Sequence, residues 1–384
     1  MIYPDFHLPT RLYLQPDIIK NVGEIIASRN AHRALIITSS DDYEKYESII
    51  EFIVENLNAN GVISIIYDEI PGKANNEYID SAVYYAKKTN TDIIIGVGLI
   101  ESLNSAKAIA MLANNYYFCD DIFEYPKVND PIPYALIPFM PSIGLEIVPC
   151  FYMPDIHRNL KRIYYNNKLY PDLTIIDPLL SLQAEDSDFA NASVAALSIA
   201  VESLISQTTS DITNTYALKA VDLTYRNLAA AFRDPDNTSY RAPLALASVL
   251  SGISLTTSFM SITFAISLAL SSYTPIPLSK SMGILLPHIM EYNLTTSTNK
   301  YVQIARIMDE DVHDITIIEA AIKAIEAVRK ITLDVEIPQR LSEFEISKTL
   351  LSKVSELAQT YPFIKNAPRT LNKDELETIL VAAF

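Results

Sequence analysis

Short β-branched runs alternate with helix-length segments through the first half of the chain and then cease, and this one-sided alternation most constrains the fold. Residues 34–38 (ALIIT), 62–67 (VISIIY), 92–97 (DIIIGV) and 134–138 (YALIP) read as strands. Residues 43–57, 76–88 and 102–114 fit helices between them. Strands separated by helices build a parallel sheet wrapped on both faces, so residues 1–178 are expected to form a doubly wound α/β domain. Beyond Asp177-Pro178 only helix-length segments follow, and residues 179–384 are expected to form an all-helical domain. Within it, residues 315–332 place Glu319/Lys323 and Glu326/Lys330 at the i,i+4 spacing of an exposed helix face. Asn372 followed by Glu375 suggests a capping box opening the last helix.

The helical half contains a stretch that must be hidden from water. Residues 242–279 carry no charged side chain over 38 positions, more than a bilayer span requires. Recurrent Ser and Thr, Pro275 and Pro277 near its end, and no flanking Lys/Arg asymmetry favour two buried helices over a membrane segment. A net charge of −16 without a basic cluster argues against nucleic acid. The two cysteines, Cys119 and Cys150, form no framework. With no leader pattern at the N-terminus, a reducing cytoplasm is the simpler expectation.

Several local sequences narrow the reading further. Residues 6–11 (FHLPTR), 137–146 (IPFMPSIGLE), 172–178 (DLTIIDP), 195–221, 285–293 (LLPHIMEYN) and 366–369 (NAPR) resemble, in order and spacing, the iron-containing alcohol dehydrogenase family, which shares its fold with dehydroquinate synthase and glycerol dehydrogenase. The resemblance runs from residue 6 to the C-terminus. It implies a nucleotide-binding-type first domain, a metal-binding second domain, Fe or Zn with NAD(P) as cofactors, and dimers or larger rings.

The family's ligands are an Asp and a His four residues apart on one helix, a later His, and a further His fourteen residues on. Spacing of i,i+4 stacks two side chains on one helical face, where both reach a single cation. The ungapped frame puts Ala195 and Ile199 at the first pair, Phe264 third and Leu278 fourth, and puts Leu268 where the family has a proton-handling His. Glu202 falls on the family's Glu, and Gly252 with Leu285-Leu286-Pro287 brackets the later pair, which supports the register. No other histidines substitute: His7, His32, His157, His288 and His313 are scattered, with His288 expected to be structural and His157 to lie on the surface. Five apolar replacements suggest a polar cleft filled to interior density.

The cofactor loop departs from the family in the same sense. Its GGGSxxDxAK-type stretch lets backbone amides approach a pyrophosphate at a helix N-terminus. Here Gly98-Leu99-Ile100-Glu101 brings side chains and a negative charge to that place, and only 8 glycines occur in the chain. Gly96, Gly98, Asn104, Lys107, Ser142 and Gly144 are weak cofactor-binding candidates, with Glu146 also retaining polar character in the second loop.

The favoured expectation is therefore a family member without metal or NAD(P), acting as a structural, regulatory or partner subunit. The 23 tyrosines offer adhesive surface for a protein partner or a second copy. Two alternatives stand beside it. One is a metal-independent ligand binder or enzyme reusing the interdomain cleft, with Glu101, Asn104, Lys107, Glu146 and Glu202 near it. The other is an active NAD(P)-dependent alcohol dehydrogenase.

Overall fold

A computed structural model describes residues 6–72, 75–124, 127–155, 158, 160–259 and 262–384. The chain divides into two compact units, Leu8–Ala184 and Glu185–Phe384, the latter including Phe6 and His7. Phe6 joins it by stacking on Tyr216, with ring centroids 6.1 Å apart.

In chain order the first unit contains β1 (Arg11–Leu14), α1 (Val22–Ala27), β2 (Arg33–Ser39), α2 (Ser40–Ala59), β3 (Ile63–Ile70), α3 (Asn76–Lys88), β4 (Ile93–Gly98), α4 (Ile100–Ala113), β5 (Tyr134–Pro138), β6 (Cys150–Asp155), β7 (Leu160–Tyr165) and β8 (Leu173–Ile176). Six strands form one sheet in the order β1-β8-β5-β4-β2-β3, all pairs parallel, and β6 and β7 form a separate antiparallel pair. Ile93, Ile94 and Ile95 of β4 are buried in succession. A parallel strand covered on both faces requires such a run, because both pleat directions meet apolar neighbours. Ile94 belongs to the core on one side of the sheet, with Leu35 and Leu103, and Ile95 to the core on the other, with Ile36 and Ile50.

The four expected strands and three expected helices each overlap an observed element, with boundaries that differ by up to three residues. Helix α2 begins at Ser40 rather than at residue 43, because Ser39 accepts the Asp42 N–H at 3.1 Å as an N-cap. Strands β1, β6, β7 and β8 carried no usable signal. Strands β1 and β8 are four residues each, too short for a period to emerge. Strands β6 and β7 mix polar and apolar residues and gain their pairing from each other. Asp177, at the end of β8, accepts the Ile19 N–H at 3.3 Å and the Leu179 N–H at 3.0 Å.

The helical unit contains α5 (Asp186–Ile205), α6 (Asp211–Arg233), α7 (Arg241–Ser258), α8 (Ile262–Tyr273), α9 (Leu278–Tyr292), α10 (Leu294–Ile307), α11 (Ile317–Asp334), α12 (Leu350–Thr360) and α13 (Lys373–Ala382). Among the described residues no strand follows Ile176. The uncharged run becomes α7, α8 and the first turn of α9, and most of it is buried. Helix α5 is long and apolar enough by length and composition to cross a membrane, yet every residue from Phe189 to Ile205 is buried. A helix apolar on all sides is the expected centre of a helical core. Thr316/Glu319 and Asn372/Glu375 form capping boxes opening α11 and α13.

Gly96 in β4 owes its identity to packing. A Cβ there would lie 2.6 Å from Ala106 Cβ of α4 and 2.9 Å from Leu136 Cδ2 of β5. Ala106 Cβ is fixed to the helix backbone and cannot swing aside as Leu136 Cδ2 can, so α4 rides directly on the strand. Gly96→Ala is expected to destabilise the first unit by about 1–3 kcal/mol, measured as a lowered midpoint in chemical denaturation; an unchanged midpoint would show that α4 can lift without cost.

Candidate functional site

The sheet order defines a crevice. From β2 the chain moves outward to β3, whereas from β4 it moves to β5 on the other side, so the direction reverses between β2 and β4. Open parallel sheets bind ligands beyond the carboxyl ends of their strands at such a point. Here those ends are Ser39 and Gly98.

A buried polar knot ties the two ends together. The Asp42 carboxylate accepts the Leu99 N–H at 2.8 Å and the Ser102 hydroxyl at 2.5 Å, through the same Oδ2 atom. The Ser102 Oγ in turn accepts the Ser39 N–H at 2.8 Å. Burial pushes the Asp42 carboxyl above the usual carboxylate range, while the bonds from Ser102, Leu99 and Ser39 pull the other way. Gly98 has φ 134°, and a Cβ there would run into Asp42 Oδ2 and come within 2.9 Å of Ser102 Oγ. Only glycine fits that backbone and that space. The sequence reading found Gly98 but not Asp42, Ser39 or Ser102. A Ser-x-x-Asp pattern at a helix start signals a cap, and gives no hint that the acid also holds a backbone amide of the next β–α turn.

Helix α4 carries two of the weak cofactor candidates inward, and the structure spends both on backbone. Lys107 is fully buried. Its Nζ donates to the carbonyls of Leu145, Val148 at 2.7 Å and Cys150 at 3.0 Å. Burial pulls the ammonium down to about 8, partly opposed by Cys150 and Glu146. An ammonium has three donors, and in this structure all three are committed to carbonyls. Asn104 acts as a strand mimic, donating to the Tyr152 carbonyl at 2.5 Å and accepting the Tyr152 N–H at 2.8 Å. It secures β6 to α4, so its amide likewise is engaged with backbone. The physical reason is common to both: a polar group withdrawn from water must be satisfied internally.

The remaining candidates shape the neighbouring turns. Tyr152 donates its hydroxyl to Glu101 Oε1 at 3.2 Å, holding that carboxylate in the first turn of α4. Ser142 is buried and donates to the Met140 carbonyl at 2.9 Å. Ile143 and Gly144 both have positive φ, 53° and 79°, in a tight turn after β5. Glu146 is buried, and its carbonyl accepts the Thr174 hydroxyl at 2.6 Å.

In the helical unit the four metal-ligand positions are apolar and buried: Ala195 and Ile199 on α5, Phe264 on α8 and Leu278 at the start of α9. Leu268 is fully buried one turn beyond Phe264. Phe264 meets Phe363 edge-on with ring centroids 6.0 Å apart, and Phe363 stacks on Tyr361 at 5.4 Å. Glu202, buried on α5, receives the Thr263 N–H at 3.2 Å on each oxygen, so its charge is placed at the N-terminal turn of α8. His288 is largely buried, and burial together with Arg329 lowers its imidazole pKa. His157 lies outside the described residues. Among the described residues no group of three or more His, Cys, Asp or Glu could hold a metal ion.

Comparison with known proteins places these features in a family. The model of "Iron-containing alcohol dehydrogenase" matches residues 9–178, and that of "Fe-containing alcohol dehydrogenase family, C-terminal" matches residues 189–384. A 1,3-propanediol dehydrogenase of Klebsiella pneumoniae is 24% identical over 99% of this chain and 98% of its own. A solved 1,3-propanediol oxidoreductase superposes with a TM-score of 0.94 at 24% identity, covering 100% of both chains. A sulfoacetaldehyde reductase from Bifidobacterium kashiwanohense, solved in complex with NAD+, gives 0.88 at 16% identity over 100% of this chain and 99% of that one.

These findings correct two expectations. A chain without dehydrogenase activity, serving as a structural, regulatory or partner subunit, was expected from the apolar ligand positions. The relatives are instead named as dehydrogenases and reductases, with matches over 99% and 95% of the chain. Absence of cofactors was expected on the same ground, and it is overturned by the family's iron-containing designation and by the NAD+ complex of a structural neighbour. The inference failed because it read loss of particular ligands as loss of the whole chemistry.

Two substitutions test the packing. Lys107→Met strands three carbonyls and is expected to cost about 3 kcal/mol or more; Phe264→Ala opens a cavity beside Phe363 and is expected to cost about 3–5 kcal/mol. Both are read by denaturant titration, and a loss below about 1 kcal/mol in either would contradict the assigned role.

Proposed function

Because this chain belongs to the iron-containing alcohol dehydrogenase family, a family of oxidoreductases, we propose that it interconverts a small alcohol and its aldehyde with NAD(P) as the hydride partner. The observation that carries this reading is the family match in both units, over 9–178 and 189–384. The fold supports the nucleotide half, since a parallel sheet reverses direction between β2 and β4. There Gly98 and, after β5, Gly144 carry no side chain, and the Asp42 carboxylate occupies the space a Cβ on Gly98 would take. The nicotinamide ring supplies hydride acceptance and donation when bound. The chain's part is to orient it beyond β4 and β5 and to exclude water.

The metal half does not fit these residues. Ala195, Ile199, Phe264 and Leu278 offer no donor atom, and Phe264 is engaged in an aromatic cluster. No step is derived through a cation at those positions. Two further properties accompany the proposal. A reducing compartment suits Cys119 and Cys150, both free and buried, and self-association into a homo-oligomer suits the exposed tyrosines, among them Tyr84 and Tyr116.

The test is oxidation of NADH and NADPH by the purified full-length chain with small aldehydes such as propanal, with and without added iron or zinc. Saturable, aldehyde-dependent loss of nicotinamide absorbance is expected with one of the two nucleotides. No turnover with either nucleotide under any metal condition would overturn the proposal.

A further inference from the structure

At the head of α4 the structure supplies its own anion. A helix N-terminus following a parallel strand presents backbone N–H groups and the positive end of the helix dipole to an incoming phosphate. In this chain the Leu99 N–H is already bonded to the buried carboxylate of Asp42, which arrives from the first turn of α2. That carboxylate also holds the Ser102 hydroxyl, and it fills the space beneath Gly98 that a side chain would otherwise need. Glu101, in the same turn, is held aside by the Tyr152 hydroxyl, so the contact to the Leu99 amide is made by Asp42.

We propose that Asp42 is a built-in competitor for the phosphate groups of the dinucleotide, so that nucleotide binds only as the Asp42–Leu99 contact is released. The inference rests on the nucleotide reading given above and adds a residue that sets affinity. Two anions cannot share one amide, and the desolvated position strengthens their repulsion. Burial already disfavours the charged form of Asp42, which lowers the cost of giving the contact up. Asp42 is thus a positioning and affinity-setting residue, acting through the Leu99 amide.

Isothermal titration of full-length protein with NADH, and separately with inorganic pyrophosphate, tests this for wild type, Asp42→Asn, Asp42→Ser and Glu44→Gln. Asn and Ser can still accept the Leu99 N–H but carry no charge, and thermal melts confirm which variants are folded. Glu44, exposed on α2, controls for loss of any nearby charge. Both Asp42 variants are expected to bind NADH and pyrophosphate about tenfold more tightly than wild type, with Glu44→Gln within about twofold of wild type. Equal affinity in wild type and a folded Asp42 variant would overturn the inference, as would an equal gain in Glu44→Gln. Wild-type turnover of aldehyde with no gain at Asp42 sinks this inference alone; absence of nucleotide binding in wild type and both Asp42 variants removes the nucleotide reading with it.

Discussion

Withdrawal from water is the constraint on which this structure depends. The sheet is parallel and covered on both faces, α5 is buried along nearly its whole length, and α4 is buried from Ser102 to Ala113. Any polar group carried on these elements must find its partner within the same unit or pay the desolvation cost of several kcal/mol. That rule explains why Lys107 sits among three carbonyls, why Asn104 copies a strand edge against Tyr152, and why Glu202 rests on an α8 amide. Residues that resemble ligands in the sequence become internal fastenings once buried.

The same constraint governs the crevice between β2 and β4. A turn between a parallel strand and a helix exposes amides that need acceptors, and Asp42 answers that need from within the chain. Under the proposed function a dinucleotide would lie at this edge, where the residues at hand already place a carboxylate. The two are compatible if the contact is exchangeable. In the helical unit the tension is sharper, since four apolar side chains stand where the family's name implies metal ligands. The relatives are nevertheless named as a 1,3-propanediol dehydrogenase and a sulfoacetaldehyde reductase.

Much of the fold was legible because its signals are local and periodic. The runs around Ile36, Ile65, Ile94 and Leu136 are dense in β-branched and apolar residues, and the capping box at Asn372 and Glu375 is readable within four positions. The uncharged stretch from 242 to 279 announced burial by composition alone. Strands β1 and β8 were missed because four residues carry too little pattern, and β6 and β7 because their pairing is defined only against each other. Within the site, Gly98 was visible as a glycine at a strand end. Asp42 was invisible, because its partner Leu99 is 57 residues away.

The amino-acid order by itself determined the class of each half, the parallel nature of the sheet and the apolar character of the ligand positions. Those properties follow from hydrophobic period and residue chemistry, which act over a few neighbours. Only the tertiary structure decided which partners those polar side chains take. Lys107, Asn104 and Asp42 look alike as polar residues near a glycine-bearing turn, and their roles separate only when α2, α4 and β6 are brought within hydrogen-bonding distance. Desolvation then assigns each its partner, and that assignment depends on contacts between segments far apart in the chain.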